Sequence, residues 1–368
     1  MVVFIRASFL TLLLVVLAGL LPTPLSTVSA QGTPVVIATG LDNPRGLAFG
    51  PDGALYVVEA GRGGTSTLCL PLPAGPGERC YGPSGGVTRV TTTGVQQRVL
   101  SGLPSLAPAG GAEASGPQDI AFGFGSAFIS VGSGGDPATL APFEQAGIHL
   151  GTLYHVSLQG VVTPMVDVAA HETAENPDGE LVDSNLFALE VLSTRGVVTD
   201  AGANTLLQID QSLNVTTLAT FPTRLVPGPG GGDIPMQSVP TSIAEGPDGS
   251  LYVGELTGFP FPVGGARVYR VPAAGGAPEV VAEGFTNIID IAIGPDGSSY
   301  VLEYDANSIL TPGDAGRLTK IGLFGSRTEL AAGLLPHPGK MAIGADNTLY
   351  VTVNTSSAGL GQVVRIAQ

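Results

Sequence analysis

Gly50-Pro51-Asp52-Gly53 leads into Ala54-Leu55-Tyr56-Val57, and the same tetrapeptide returns as Gly246-Pro247-Asp248-Gly249 before Ser250-Leu251-Tyr252-Val253. It returns again as Gly294-Pro295-Asp296-Gly297 before Ser298-Ser299-Tyr300-Val301, and in worn form as Gly344-Ala345-Asp346-Asn347 before Thr348-Leu349-Tyr350-Val351. Each copy reads as strand, tight turn, strand. Proline presets φ at the second turn position, aspartate bonds its own backbone, and Gly or Asn tolerates positive φ. The last three copies recur at about 50 residues, a repeat period, and strands within the repeat mean propeller blades.

Aligning on the turn extends the repeat. Six first strands are visible: Gly46–Phe49, Asp119–Phe122, Ala188–Val191, Ser242–Glu245, Asp290–Ile293 and Lys340–Ile343. Third strands follow near glycines at 86–90, 151–156, 204–209, 266–271, 316–321 and 361–366. Fourth strands follow in five blades, at 95–100, 161–168, 215–221, 278–282 and 328–332. The sixth blade runs out of chain, and Pro34–Leu41 resembles the other fourth strands. The expected fold is all-β, a six-bladed β-propeller closed by the N-terminal strand, because closure protects the sheet edges.

Residues 1–30 read as a signal peptide. Arg6 supplies a positive n-region, Phe9 to Leu21 an apolar stretch, and Val28-Ser29-Ala30 a small-residue cleavage site. The apolar stretch is short for a membrane anchor. Residues 31–368 then form one propeller domain, secreted or periplasmic, with no membrane span after cleavage. The net charge is -15, and only Lys320 and Lys340 are lysines. That balance disfavours nucleic acid and anionic membranes as partners. Cys69 and Cys80, in a loop with Pro71, Pro73 and Pro76, read as a disulfide in an exported chain. A two-cysteine metal site is the alternative, with no nearby histidine to complete it.

Insertions fall at 61–85, 104–116, 133–150, 169–184, 222–239, 257–265 and 304–315. They occupy second-to-third and blade-to-blade connections, which an up-and-down blade places on one face. Long loops on a rigid scaffold carry function. Near the channel mouth on that face the sequence places Asn43, Arg45, Gln118, Asp119, Asp183, Asn185, Thr241, Asn287, Asp290, His337 and Lys340. A recurring acid ends four second strands: Glu59, Asp200, Glu255 and Glu303. Such oxygen donors suit Ca²⁺; the same acid in a repeat also caps turns or pairs with a neighbouring blade.

Other motifs are thinner. Asp178-Gly179-Glu180 with Asp183 and Asn185 offers oxygen donors without full calcium-loop spacing. His149, His155, His171 and His337 form no metalloprotease motif. Gly82-Pro83-Ser84-Gly85-Gly86 matches a nucleophile-elbow pattern but leads into a strand, so it reads as a turn. No dinucleotide fingerprint or phosphate loop is present.

The chain has no tryptophan, which sets aside the tryptophan-marked repeats. What remains resembles NHL-type and TolB-like six-bladed propellers. Several segments more closely resemble the ScyD/ScyE family: the leader, Asn43–Gly53, Cys80-Tyr81-Gly82-Pro83-Ser84-Gly85, Gly116–Ala121, and Asp183-Ser184-Asn185 with Asp200–Asn204. The resemblance covers the mature chain. It implies an exported propeller, in a family named for a link to the pigment scytonemin, and it implies no reaction.

Two functions of different class follow. The first is a non-catalytic binding propeller whose ligand, a small molecule or protein, sits on the loop-rich face. The alternative is a calcium-dependent hydrolase or lactonase similar to gluconolactonase and paraoxonase propellers, with Glu59, Asn185, Asp200, Glu255 and Asn287 as ligands and His337 as base. A quinone-dependent sugar dehydrogenase is a third possibility without residue-level support.

Overall fold

The computed structural model describes residues 32–72 and 75–367. The leader expected at 1–30 and Pro73 lie outside them. Six four-stranded antiparallel units form the ring. Blade I comprises Pro44–Phe49, Leu55–Glu59, Glu78–Val90 and Gln96–Ala107; blade II, Pro117–Gly123, Ser126–Val131, Thr152–Val156 and Val162–Asp167. Blade III comprises Leu186–Val191, Gly196–Asp200, Thr205–Ile209 and Val215–Thr220; blade IV, Pro240–Glu245, Leu251–Glu255, Ala266–Val271 and Glu279–Phe285. Blade V comprises Ile288–Ile293, Ser299–Glu303, Arg317–Ile321 and Arg327–Leu330. Blade VI takes Met341–Ile343, Leu349–Val353 and Gly361–Ile366, and its outer strand is the N-terminal Val35–Leu41. Val35 stands opposite Arg365, Val36 opposite Val364 and Ala38 opposite Val363. The expected six-bladed closure is therefore observed.

The repeated tetrapeptide makes the first-to-second turn. In blade I the Gly50 N–H donates to the Ala54 carbonyl (2.8 Å), Gly53 N–H to Gly50 O (3.0 Å), and Ala54 N–H to Asp52 Oδ1 (3.2 Å). Gly53, Gly249 and Gly297 hold φ of +74°, +74° and +76°, and Asn347 holds +62°. These are left-handed values that favour Gly or Asn. The leading glycine serves a different need: a Cβ at Gly50 would lie 2.3 Å from the Tyr56 ring. The turn aspartate also reaches a cation on the third strand, as Asp52–Arg89 (2.6 Å), Asp248–Arg270 (2.6 Å) and Asp296–Lys320 (3.0 Å).

Buried side chains sort into six main clusters, one at each blade interface. Between I and II, for example, Val58, Val87 and Leu103 meet Ile120, Ile129 and Tyr154. Between VI and I, Ala38 and Val363 meet Leu47, Leu55 and Val57. The other four seams repeat the arrangement. Each blade is thus apolar on both faces, and a second strand such as Leu55-Tyr56-Val57-Val58 reads as a continuous apolar run because neither face meets water.

The insertions carry structure of their own. A short helix, Ala141–Gln145, lies in 133–150, and another, Ala169–Glu175, in 169–184; residues 222–239 hold the hairpin Arg224–Pro227 with Asp233–Met236. The segment 61–85 departs from the expected loop. The third and fourth strands of blade I run on as a flap that Cys69–Pro71 joins as a further strand. Gly82 to Gly86, expected as a turn, is bulged strand within it, with register shifts at Gly82/Gly85 and Gly85/Gly86. The glycines there allow close approach: a Cβ at Gly82 would stand 2.2 Å from the Gly63 carbonyl oxygen. Among the described residues no helix is long and apolar enough to cross a membrane.

Cys69 and Cys80 face each other across the flap and are joined. Glu78 lies with them in the one close group of metal-ligating side chains among the described residues, but the disulfide uses both sulfurs. The flap has strand pairing besides, so Cys69→Ser with Cys80→Ser should loosen it without opening the ring. Loss of about 2–3 kcal/mol at most is expected for so short a closed loop. Protease nicking near residue 75 should rise before the urea midpoint moves far, and untreated protein should show no free thiol on labelling.

Candidate functional site

The four recurring acids stay apart, each in its own blade. They occupy the end of the second strand, opposite Pro44, Leu186, Pro240 and Ile288 of the first. Blades II and VI place Val131 and Val353 there. All four acids are buried, and each ties down the segment that leads into its blade. Glu59 accepts from the Asp42 N–H (2.8 Å), from Thr88 Oγ1 (2.5 Å) and from Arg98. Glu255 takes a two-pronged bond from Arg224 (2.6 and 2.8 Å), with Ser238 Oγ (2.6 Å) and Tyr269 OH (3.1 Å). Glu303 accepts from the Thr286 N–H (2.6 Å) and both arms of Arg317. Asp200 accepts from Ser184 Oγ (2.6 Å) and the Asn185 N–H (2.7 Å), with the Gly202 and Ala203 amides at 3.2 Å.

These oxygens are committed to arginines, hydroxyls and amides within each blade, not gathered round the axis. The arginines were not foreseen. Arg98 lies on a fourth strand, Arg317 on a third and Arg224 in the hairpin after blade III, so no repeat position marks them. Removing one partner of such a pair leaves an uncompensated buried charge. Arg224→Met should therefore cost about 3–5 kcal/mol in urea unfolding, and Arg224→Met with Glu255→Met should recover most of it.

Along the axis the first strands present two tiers. The outer tier is Gly46, Asp119, Ala188, Ser242, Asp290 and Lys340; two residues on come Ala48, Ala121, Glu190, Ala244, Ala292 and Ala342. The Lys340 ammonium bridges Asp119 Oδ2 and Asp290 Oδ1, 3.0 Å from each. Asp119 Oδ2 also accepts the Leu189 N–H (2.9 Å), and Asp290 Oδ2 the Met341 N–H (2.8 Å), so each carboxylate also binds the next blade. Burial pulls Lys340 down, but Asp119 and Asp290 outweigh it and hold the ammonium above the usual lysine range. Burial pushes Asp290 up to about 6 against the pull of Lys340.

This triad floors a funnel of about 370 Å³ that includes Ala48, Ala121, Glu190, Ala244 and Glu245. Glu190 was not among the sequence candidates, although it breaks a position that is alanine in the other five blades. Burial pushes it up to about 7; Lys340 opposes this, and Asp119, Glu245 and Asp290 add to it. A carboxyl raised on folding contributes stability below its unfolded pKa and loses it as pH rises through the folded one. Wild-type stability from this group should therefore decline between about pH 4.5 and pH 7. Glu190→Gln should raise the melting temperature at pH 8, by the equivalent of about 2 kcal/mol, and barely at pH 4. Paired thermal scans at the two pH values check this.

On the loop-rich face a cleft of about 440 Å³ is lined by Leu70, Arg79, Ser115, Asp136, Asp183, Asn185 and Gln237, among others. Arg79 is buried. It donates to Pro71 O (3.2 Å), Ser115 Oγ (2.7 Å) and Gly134 O, fixing the flap to the blade II connection. Burial lowers its pKa, against the Asp183 charge. Asp183 Oδ1 accepts the Gly135 N–H at 2.8 Å, and burial raises its carboxyl. Asn185 Oδ1 and Gln118 Oε1 are buried without a hydrogen-bond partner. Both crowd Gly132, where a Cβ would stand 2.5 Å from Asn185 Oδ1 and 3.3 Å from Gln118 Cγ.

The remaining candidates are dispersed. Asn43 donates to the carbonyls of Gly61 and Gly111 (2.7 Å each), and Asn287 donates to Leu256 O (2.9 Å) and accepts from the Ile309 N–H (3.0 Å). Thr241 Oγ1 donates to Ile288 O (2.7 Å), across to blade V. Arg45 donates to Ala114 O (2.9 Å). His337 stacks on Tyr304 with ring centroids 5.1 Å apart, and its Nε2 lies 3.2 Å from Asp314.

No family model and no curated protein matches the chain. Solved structures do. A structural-genomics protein of unknown function from Bacteroides thetaiotaomicron VPI-5482 aligns with a TM-score of 0.54 at 9% identity, over 92% of this chain and 73% of that one. The PQQ-bound aldose sugar dehydrogenase of Streptomyces coelicolor aligns with a TM-score of 0.52 at 14% identity, over 90% and 96%. Regucalcin, a calcium-binding protein of Agrobacterium tumefaciens str. C58, gives 0.49 at 15%, over 91% and 93%. At such identities the likeness shows the propeller fold alone.

Proposed function

We propose that the chain is an exported, non-catalytic binding propeller of the ScyD/ScyE type that holds a small, hydroxyl- or amide-bearing molecule in the loop-rich cleft. The observation that carries this reading is Asn185, which lines the cleft with a buried side-chain oxygen that has no partner. A buried polar atom left unsatisfied is costly, and a turn of the Asn185 side chain from Gly132 toward the cleft would let a ligand donor satisfy it. Asp183 supplies a second acceptor beside it, while Leu70 and Pro71 supply apolar wall. The volume suits a small molecule. Among the described lining residues there is no histidine, and Ser115 is held by Arg79. Export is supported by the leader sequence and the disulfide.

A thermal-shift screen of the mature protein against sugars, polyols and small amides tests the reading. At least one should stabilise the wild type, and Asn185→Ala should abolish that shift while leaving the unliganded melting temperature within about 1–2 °C. Ester or lactone turnover lost on chelation would replace this reading with the hydrolase.

A further inference from the structure

Blade III differs from the other blades that carry the recurring acid. In blades I, IV and V the acid meets an arginine, Arg98, Arg224 or Arg317. In blade III, Asp200 meets no cation among the described residues. The connection leading into this blade instead brings up more negative charge. The helix Ala169–Glu175 buries Glu172 to 2% exposure, and both of its carboxylate oxygens lack a hydrogen-bond partner. The Asp183 amide lies near enough to favour the charged form, but no bond of ordinary geometry forms. After burial, the charges acting most strongly on Glu172 are those of Asp178, Asp200 and Asp183. The helix closes on Asn176 in the left-handed region, and the Asn176 Oδ1 is also buried and unpartnered.

We propose that this connection is a divalent-cation site, with Glu172, Asn176, Asp178 and Asp183 as its oxygen donors and Ca²⁺ as the ion that fits them. The cation would bring to the entry of blade III the positive charge that arginine brings to blades I, IV and V, bound to the connection and not to Asp200 itself. A buried carboxylate without a partner is among the costliest groups a fold can hold. An all-oxygen donor set built from carboxylates and an amide is the set Ca²⁺ takes, whereas Mg²⁺ demands a tighter octahedron. The neighbours have capacity to spare. Asp183 uses only Oδ1, on the Gly135 amide. Asp178 accepts from the Glu180 N–H through Oδ1 and from Asn204 Nδ2 through Oδ2, with lone pairs remaining on each oxygen. Arg79 acts on Asp183 as a counter-charge, but its guanidinium is spent on Pro71 O, Ser115 Oγ and Gly134 O. No three of these carboxylates lie within 4.8 Å of one another, so binding would draw them together. The site lies in the blade II to blade III connection, apart from the dispersed acids Glu59, Glu255 and Glu303.

Calorimetric titration of the chelator-treated mature protein with CaCl₂, and melting in Ca²⁺, Mg²⁺ or EGTA, test the proposal. One Ca²⁺ per chain should bind, with a rise of about 5 °C when Ca²⁺ stands roughly 100-fold above its Kd, and a smaller rise in Mg²⁺. Glu172→Gln should abolish the titration, yet melt in EGTA at or above the wild type, because it removes a buried repulsive charge. Asp178→Asn, at a half-buried position, should weaken binding about tenfold and fold normally. An absence of heat and shift in the wild type would overturn the site. So would Ca²⁺ binding that survives Glu172→Gln.

Discussion

The antiparallel pairing of Val35–Leu41 with Gly361–Ile366 is the constraint on which the rest of the molecule depends. A blade of this chain buries both faces, so it has no stable existence without a neighbour on each side. Six blades in an open arc would leave two apolar faces in water and an unpaired edge on the last. Ring closure removes both defects at once, because the first segment of the chain supplies the outer strand of the last blade. The seam between blades VI and I contains residues from both ends of the sequence, Ala38 and Leu41 beside Tyr350 and Val363. Unfolding at either terminus therefore exposes the same interface, which makes the ring cooperative although its contacts are mostly between neighbours.

Closure also fixes the axis, where polar groups complete what the apolar seams begin. Asp119 and Asp290 come from blades II and V, and Lys340 from blade VI. Each aspartate accepts an amide of the following blade and shares the ammonium in the middle. The charges are buried, but every one has a partner of opposite sign, the condition under which burial is tolerated. The triad separates the funnel on the tight-turn side from the loop-rich face. Glu190 stands on the funnel side of that floor, which is why its environment, and not that of the cleft residues, dominates its protonation.

Much of this architecture can be read in the sequence, because turn chemistry and strand period are local properties. The Gly-Pro-Asp-Gly copies locate first and second strands, and the orphaned Pro34–Leu41 foretells the closure. The flap was not legible in the same way. Its glycines at 82, 85 and 86 look like turn signals, yet they serve close approach: Gly82 packs on Gly63 and Gly64, Gly85 on Pro117 and the Leu103 carbonyl, and Gly86 on the Leu100 carbonyl. The recurring acids were visible but their partners were not. A repeat reveals what every blade shares, whereas Arg98, Arg224 and Arg317 reach their acids from three different places. The same limit applies to Glu172: it lies on a helix that the other blade-to-blade connections do not repeat among the described residues, and only its burial in three dimensions distinguishes it from the more exposed acids around it.

Blade III is where these departures collect. Its second-strand acid lacks the arginine found in three sister blades, its leading connection carries the helix with Glu172, and Asn185 at its start lines the loop-rich cleft. Asn185 and Asp200 are coupled directly, since the Asn185 amide donates to Asp200 Oδ1 at 2.7 Å while the Asn185 side chain faces the cleft. Asp183 belongs to both neighbourhoods, lining the cleft and acting on Glu172. Whatever balances the charge around Glu172 therefore bears on the segment 183–185 that shapes the cleft wall. A repeat fold can vary one blade without disturbing the others, because each contacts only its neighbours. Here the variation sits at one rim of the cleft, opposite the flap whose Leu70, Pro71 and Arg79 form the other.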